Sequence, residues 1–145
     1  MRVDPLYRLT LVFTQERVVE VPGEPGVEER LTIAEGLVDG RLHGRFRGAG
    51  RPRRRGDGTL AQDVHGLIEL NDGGTILVEL RGYVRTYPPA HPQVVGFATH
   101  VTSDRRFASL NDSVCAVAGE VRATPGADTL HVLDVAELVW EPIEP

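Results

Sequence analysis

Between Leu60 and Val84 the chain reads LAQDVHGLIELNDGGTILVELRGYV, and its charged residues recur two apart. Asp63, His65 and Glu69 share one parity of the first half; Glu79, Arg81 and Tyr83 share one parity of the second. A histidine beside a carboxylate is a standard pairing for general acid–base chemistry, in which the imidazole moves the proton and the carboxylate orients the ring. An arginine offers a planar fork of donors to a carboxylate or an enolate-like oxygen. The spacing nominates His65 as proton shuttle, Asp63 and Glu79 as its partners, and Arg81 with Tyr83 as the pair that would hold a ligand oxygen.

The elements that must position these groups are strands. Apolar residues alternate at Leu60, Val64, Ile68 and Leu70, and again at Ile76, Val78, Leu80 and Val84, the period of a sheet with one buried face. Asn71-Asp72-Gly73 suits a three-residue hairpin loop with glycine in the left-handed region. That loop sets His65 opposite Glu79, Asp63 opposite Arg81 and Val64 opposite Leu80. A register two residues further on would instead place His65 opposite Arg81. The first is preferred because it faces opposite charges, a gain of roughly 0.2–1 kcal/mol per pair. Periodicity leaves two placements open for this row: the wet outside of a sheet, or the lining of a partly polar cavity.

The rest of the chain follows the same pattern. Alternation recurs at Tyr7, Leu9, Leu11 and Phe13, at Leu42, Gly44 and Phe46, at Val95, Phe97 and Val101, and at Leu130, Val132, Ala136 and Leu138. Helix signals are scarce and turn signals frequent, which predicts a sandwich or barrel; a barrel leaves no vulnerable edges. Residues 1–145 read as a single domain. Two stretches break the alternation: the acidic VPGEPGVEE, and the basic GAGRPRRRGDG. The segment from Ser113 to Val121 is apolar on both parities, so a helix, a loop or a second subunit is expected to cover its outer side; a homo-oligomer is the expectation.

Composition narrows the function. A net charge of −5 argues against a nucleic-acid partner. Cys115 is the sole cysteine, which excludes an internal disulfide and a multi-cysteine metal site. The five histidines show no metal-binding spacing, no glycine loop for phosphates or nucleotide cofactors occurs, and no apolar run matches a signal peptide or membrane helix. The expectation is a cytoplasmic protein without metal, cofactor or membrane partner. Two further residues stand out. His100 is expected on the same type of face as His65, because Val95, Phe97 and Val101 mark the other parity as buried. Asp134 falls inside the buried parity of Leu130–Leu138, where a carboxylate must be paired or protonated. Arg51–Arg55 could grip a phosphate or an acidic partner, although such a run is commonly a solvated loop.

The ordered stretches GLVDGRLHGRFRGAG, DGTLAQDVHGLIELNDGGTILVELRG and FASLNDSVCAVAGEV resemble a family of small bacterial proteins with a calycin-like β-barrel, catalogued as a domain of unknown function. The resemblance runs from about Leu6 to Val139. It implies an all-β, antiparallel barrel of eight to ten strands, oligomeric, with a cavity, and no settled activity. Asp63 matches the family aspartate, Gly73 the hairpin glycine and Asn111 the asparagine that follows a leucine. His65 departs from the family's usual arginine, exchanging a permanent cation for a group that titrates near neutrality. The resulting expectation is a barrel enclosing a small, largely apolar organic molecule. Its chemistry would be cofactor-independent and acid–base (isomerase, cyclase or lyase), through Asp63, His65 and Glu79. Arg81, Tyr83, His100, Asn111 and Asp134 would bind the ligand. A non-catalytic carrier or sensor, or a structural subunit docking a partner, are the alternatives.

Overall fold

The computed structural model describes residues 1–86 and 91–145. Nine strands follow in order: β1 (Arg2–Glu20), β2 (Glu28–Gly40), β3 (Gly44–Gly50), β4 (Arg53–Arg54), β5 (Leu60–Leu70), β6 (Thr75–Arg85), β7 (Gln93–Val101), β8 (Val114–Arg122) and β9 (Leu130–Val139). A 3-10 segment, Arg105–Asp112, separates β7 from β8. All pairings are antiparallel, in the order β3-β2-β1-β9-β8-β7-β6-β5-β4, and β3 also pairs with β5. That last pairing closes the sheet into an eight-stranded barrel, with the two-residue β4 running on along β5 beyond the end of β3. No helix among the described residues is long and apolar enough to cross a membrane.

The central hairpin adopts the expected register, with His65 opposite Glu79, Asp63 opposite Arg81 and Val64 opposite Leu80. The Leu70 amide donates to Gly74 O at 3.1 Å, and the Gly73 amide to Leu70 O at 3.0 Å, with Gly73 at φ +94°. The core is built from inward residues of every closing strand, including Leu9, Ala34, Phe46, Val64, Ile68, Ile76, Leu80, Val117, Leu133 and Val135. Two cross-strand glycine pairs, Gly48–Gly66 and Gly82–Gly96, let adjacent strands close tightly. A Cβ on Gly66 would stand 2.5 Å from the Phe46 ring, so that ring occupies the space the glycine leaves.

The two ends of the barrel differ. At one end the 3-10 segment buries Leu110 and the β2–β3 turn buries Leu42. At the other, β1 and β2 project as a long paired arm, from Gln15–Ile33 out to Glu20–Glu28, and among the described residues nothing comparable covers the opening.

Two expected strand faces are reversed. On β7 it is Val94, Ala98 and His100 that point inward, while Phe97 and Val101 are exposed. On β9, Leu133 and Val135 are buried and Leu138 is partly exposed. Both strands are apolar on both parities, so alternation carries no sign there. The inner side of β7 is then Val94, Ala98 and His100, and that of β9 is Leu133 and Val135, packed in one core with Tyr7, Cys115 and Val117.

Candidate functional site

The row nominated from sequence lies on the outer wall. Asp63, His65, Glu79 and Arg81 have side chains 44–54% exposed, because they take the parity opposite to Val64 and Leu80. They do interact. His65 Nε2 donates to Asp63 Oδ1 at 2.9 Å, His65 Nδ1 lies 3.4 Å from Glu79 Oε1, and Arg81 Nε lies 3.4 Å from Asp63 Oδ1. Tyr83 is exposed as well, and the Arg55 guanidinium sits 5.3 Å from its ring centroid. None of the three principal cavities among the described residues is lined by Asp63, His65, Glu79 or Arg81. Exposed pairs of this kind contribute at most about 1 kcal/mol each.

His100 corrects the expectation made for it. It is 1% exposed, inside the closed end and away from His65. Its Nε2 lies 2.8 Å from the Tyr7 hydroxyl, and its Nδ1 3.9 Å from Cys115 Sγ. With Nε2 accepting the tyrosine proton, Nδ1–H faces the sulfur. Burial lowers the imidazole to about 4, with Glu137 opposing, and raises the Cys115 thiol to about 11. The cluster holds a neutral imidazole and an un-ionised thiol. Asp134 is the second correction. Its parity faces outward, and it accepts from Arg8 Nε at 2.7 Å and Nη2 at 3.1 Å, which holds the carboxyl below its usual range. Asn111 serves as a surrogate strand partner: its Oδ1 accepts from the Thr102 amide at 2.7 Å and its Nδ2 donates to Thr102 O at 3.0 Å. It ties the 3-10 segment to the end of β7.

The open end gathers a different set. A cavity of about 670 Å³ is lined by residues that include Phe13, Thr32, Arg53, Arg54, Gln62 and His131. The volume falls within the range of small-molecule sites, roughly 300–1,000 Å³. Two other depressions, of about 750 and 650 Å³, have comparable size. What distinguishes the mouth is its polar chemistry. Gln62 Oε1 and His131 Nδ1 are buried and have no hydrogen-bond partner, the two such side-chain atoms among the described residues. A buried polar group without a partner costs on the order of 1–3 kcal/mol, so two in one cavity wall call for a reason. The His131 ring packs edge-on against Phe13, centroids 4.9 Å apart, and burial lowers its pKa. It is therefore a neutral imidazole at neutral pH.

The signals for these residues were uneven. Gln62 stands between Leu60 and Val64 on an inward parity, so its anomaly is visible in the sequence. His131 was hidden by the doubly apolar pattern of β9. The two stretches that break the alternation both meet at this mouth. Gly26, Glu28 and Glu29 come from the acidic one, Pro52, Arg53 and Arg54 from the basic one, and Arg51 Nη2 bridges them to Glu29 at 2.9 Å. No group of three or more His, Cys, Asp or Glu side chains that could hold a metal occurs among the described residues.

The fold is shared with solved structures, so the class defined is an antiparallel β-barrel. A protein of unknown function from Rhodopseudomonas palustris matches with a TM-score of 0.74 at 16% identity, over 95% of this chain and 97% of that one. A β-barrel-like protein from Acinetobacter baumannii AYE matches with a TM-score of 0.67 at 16% identity, over 92% and 95%. A protein from Penicillium herquei described as an enzyme matches with a TM-score of 0.60 at 20% identity, over 93% and 96%. No family model matches the chain, and no curated protein does.

Proposed function

We propose that this protein binds one small, largely apolar organic molecule in the mouth of its barrel, with Gln62 and His131 supplying the polar contacts. The carrying observation is the pair of buried, unpartnered polar atoms in the wall of that cavity. A ligand with a donor or acceptor would give them partners, since the terminal amide torsion of glutamine is soft and the amide can turn toward a guest. The molecule sits at the end of the barrel rather than in its middle, which side chains fill. Phe13 and Leu60 supply apolar wall.

Proton transfer is the chemistry such a site can perform. A neutral imidazole in a shielded cavity can accept a proton from a bound carbon or oxygen acid and return it. The role first given to His65 passes to His131, because a base must reach its substrate and the mouth is where a substrate has walls. The enzyme from Penicillium herquei, built on a similar fold, supports this extension of the binding reading.

A fluorescence titration with N-phenyl-1-naphthylamine, a neutral apolar probe, tests the binding reading. One saturable site is expected, lost in Leu60→Trp, which fills the rim, and weakened in His131→Phe, with far-UV circular dichroism unchanged. Binding that is absent, or indifferent to both substitutions, overturns the reading.

A second reading concerns the outer wall. Leu77, Val101, Phe97 and Val114 are exposed on β6, β7 and β8, and the register sets Phe97 beside Ala116 and Ala116 beside Ala136. We propose that a second copy of the chain covers this face. Its flanks carry charges of both signs, Asp63 with Arg81 on one side and Arg8 with Asp134 on the other, as a self-complementary interface requires. Light scattering on the purified protein should give twice 15.9 kDa; a mass of one chain at tens of micromolar overturns it.

A further inference from the structure

The mouth carries a surplus of unpaired positive charge. Arg30 Nη1 lies 2.6 Å from Glu16 Oε1 and its Nη2 2.9 Å from Glu28 Oε2. Arg51 is matched by Glu29 at 2.9 Å, and Arg55 by Asp57 at 2.6 Å. Arg53 and Arg54, which also line the cavity, have no ion pair among the described residues; Arg54 only donates from Nη1 to Gly58 O at 3.1 Å. The rim therefore holds two guanidinium groups without a carboxylate, in a chain whose net charge is −5. Both are held in place. β4 pairs Arg53 with Ala61 and Arg54 with Leu60, which puts Arg54 on the same face of the sheet as Leu60 and Gln62 and Arg53 on the other, at the outer lip of the cavity it also lines; Pro52 stiffens the approach.

We infer that the molecule bound at the mouth is an anionic amphiphile: an apolar body lying against Phe13 and Leu60, with a carboxylate or similar oxyanion at Arg53 and Arg54. The inference rests on the mouth being the binding site and adds the class of ligand. Guanidinium forks are suited to oxyanions because two parallel N–H donors meet two oxygens. Position orders the groups: the arginines stand at the exposed rim, while Gln62 and His131 lie deeper. The ligand enters apolar end first and keeps its charge at the water boundary, where desolvation is least. The glutamates at the same mouth reduce this preference without cancelling it: Glu29 faces Arg51, while Glu16 and Glu28 share Arg30, so the charges named at the mouth, Arg55 and Asp57 included, leave a surplus of one positive charge.

The test compares two probes that differ by one group: 8-anilinonaphthalene-1-sulfonate, and N-phenyl-1-naphthylamine, which lacks the sulfonate. On the wild-type protein the sulfonate should bind about 10-fold more tightly at low salt, the margin shrinking as added salt screens exposed charge. Arg53→Gln with Arg54→Gln should weaken the sulfonate probe and so erase that margin. Arg53→Lys with Arg54→Lys should restore part of it. Equal affinities for the two probes on the wild type, or a margin that survives the glutamine pair, overturn the anionic class and leave the mouth reading intact. Failure of the neutral probe to bind at the mouth overturns both.

Discussion

His100 has a polar ring where the barrel offers almost no water, and that fixes a pH signature. Its pKa is about 6.5 when free and about 4 when folded. Between those values the unfolded chain takes up a proton that the folded chain refuses, so folding stability falls as pH drops from about 6.5 toward 4. Above about 6.5 both states are neutral and the residue contributes no pH dependence. The loss from this group is at most about 3 kcal/mol, and His131, also lowered by burial, acts in the same direction. Urea unfolding at pH 7 and pH 4.5 should show the drop, and His100→Gln should shrink it. Gln62 carries the opposite kind of signature. Replacing it with leucine removes an unpartnered oxygen, so Gln62→Leu should raise the stability of the ligand-free protein by about 1 kcal/mol while weakening ligand binding. A denaturation midpoint that falls instead would mean the amide has partners in solution.

At the scale of strands, alternation was informative wherever one parity was plainly polar. β5 and β6 could be read down to their pairing, because Asp63, His65, Glu79 and Arg81 mark one face and Val64, Ile68, Ile76 and Leu80 the other. β7 and β9 could not. Val94 and Ala98 compete with Val95 and Phe97 for the inside of β7, and periodicity has no means of choosing between two apolar parities. The same ambiguity hid His131 and misplaced His100 and Asp134, so the barrel was legible while the cavity at its mouth was not. Gln62 is polar on an unambiguous inner face, a signal that the charged row on the other face of β5 outweighed. The tight strand pairs make their own prediction. Gly66→Ala drives a methyl into the Phe46 ring and should destabilise by about 1–3 kcal/mol. Adding Phe46→Leu should recover part of that loss; thermal melts of the single and double variants decide it. No recovery would show that the backbone contact with Arg47 O, also 2.4 Å from such a methyl, dominates.

The described residues form a barrel with one closed end, and the two stretches that break the alternation gather at the other. Leu110 and Leu42 close the far end, and the β1–β2 arm and the arginine loop frame the near one. The outer row of Asp63, His65 and Glu79 is not needed for binding on this account, so His65→Gln should leave probe affinity unchanged. The most direct measurement follows the histidine ring resonances by NMR while N-phenyl-1-naphthylamine is added, with His131→Phe and His65→Gln assigning the two rings. The mouth account predicts that the His131 signals shift and saturate at one equivalent while those of His65 stay in place. Shifts at His65 with His131 unmoved would contradict it and put the binding site on the outer wall.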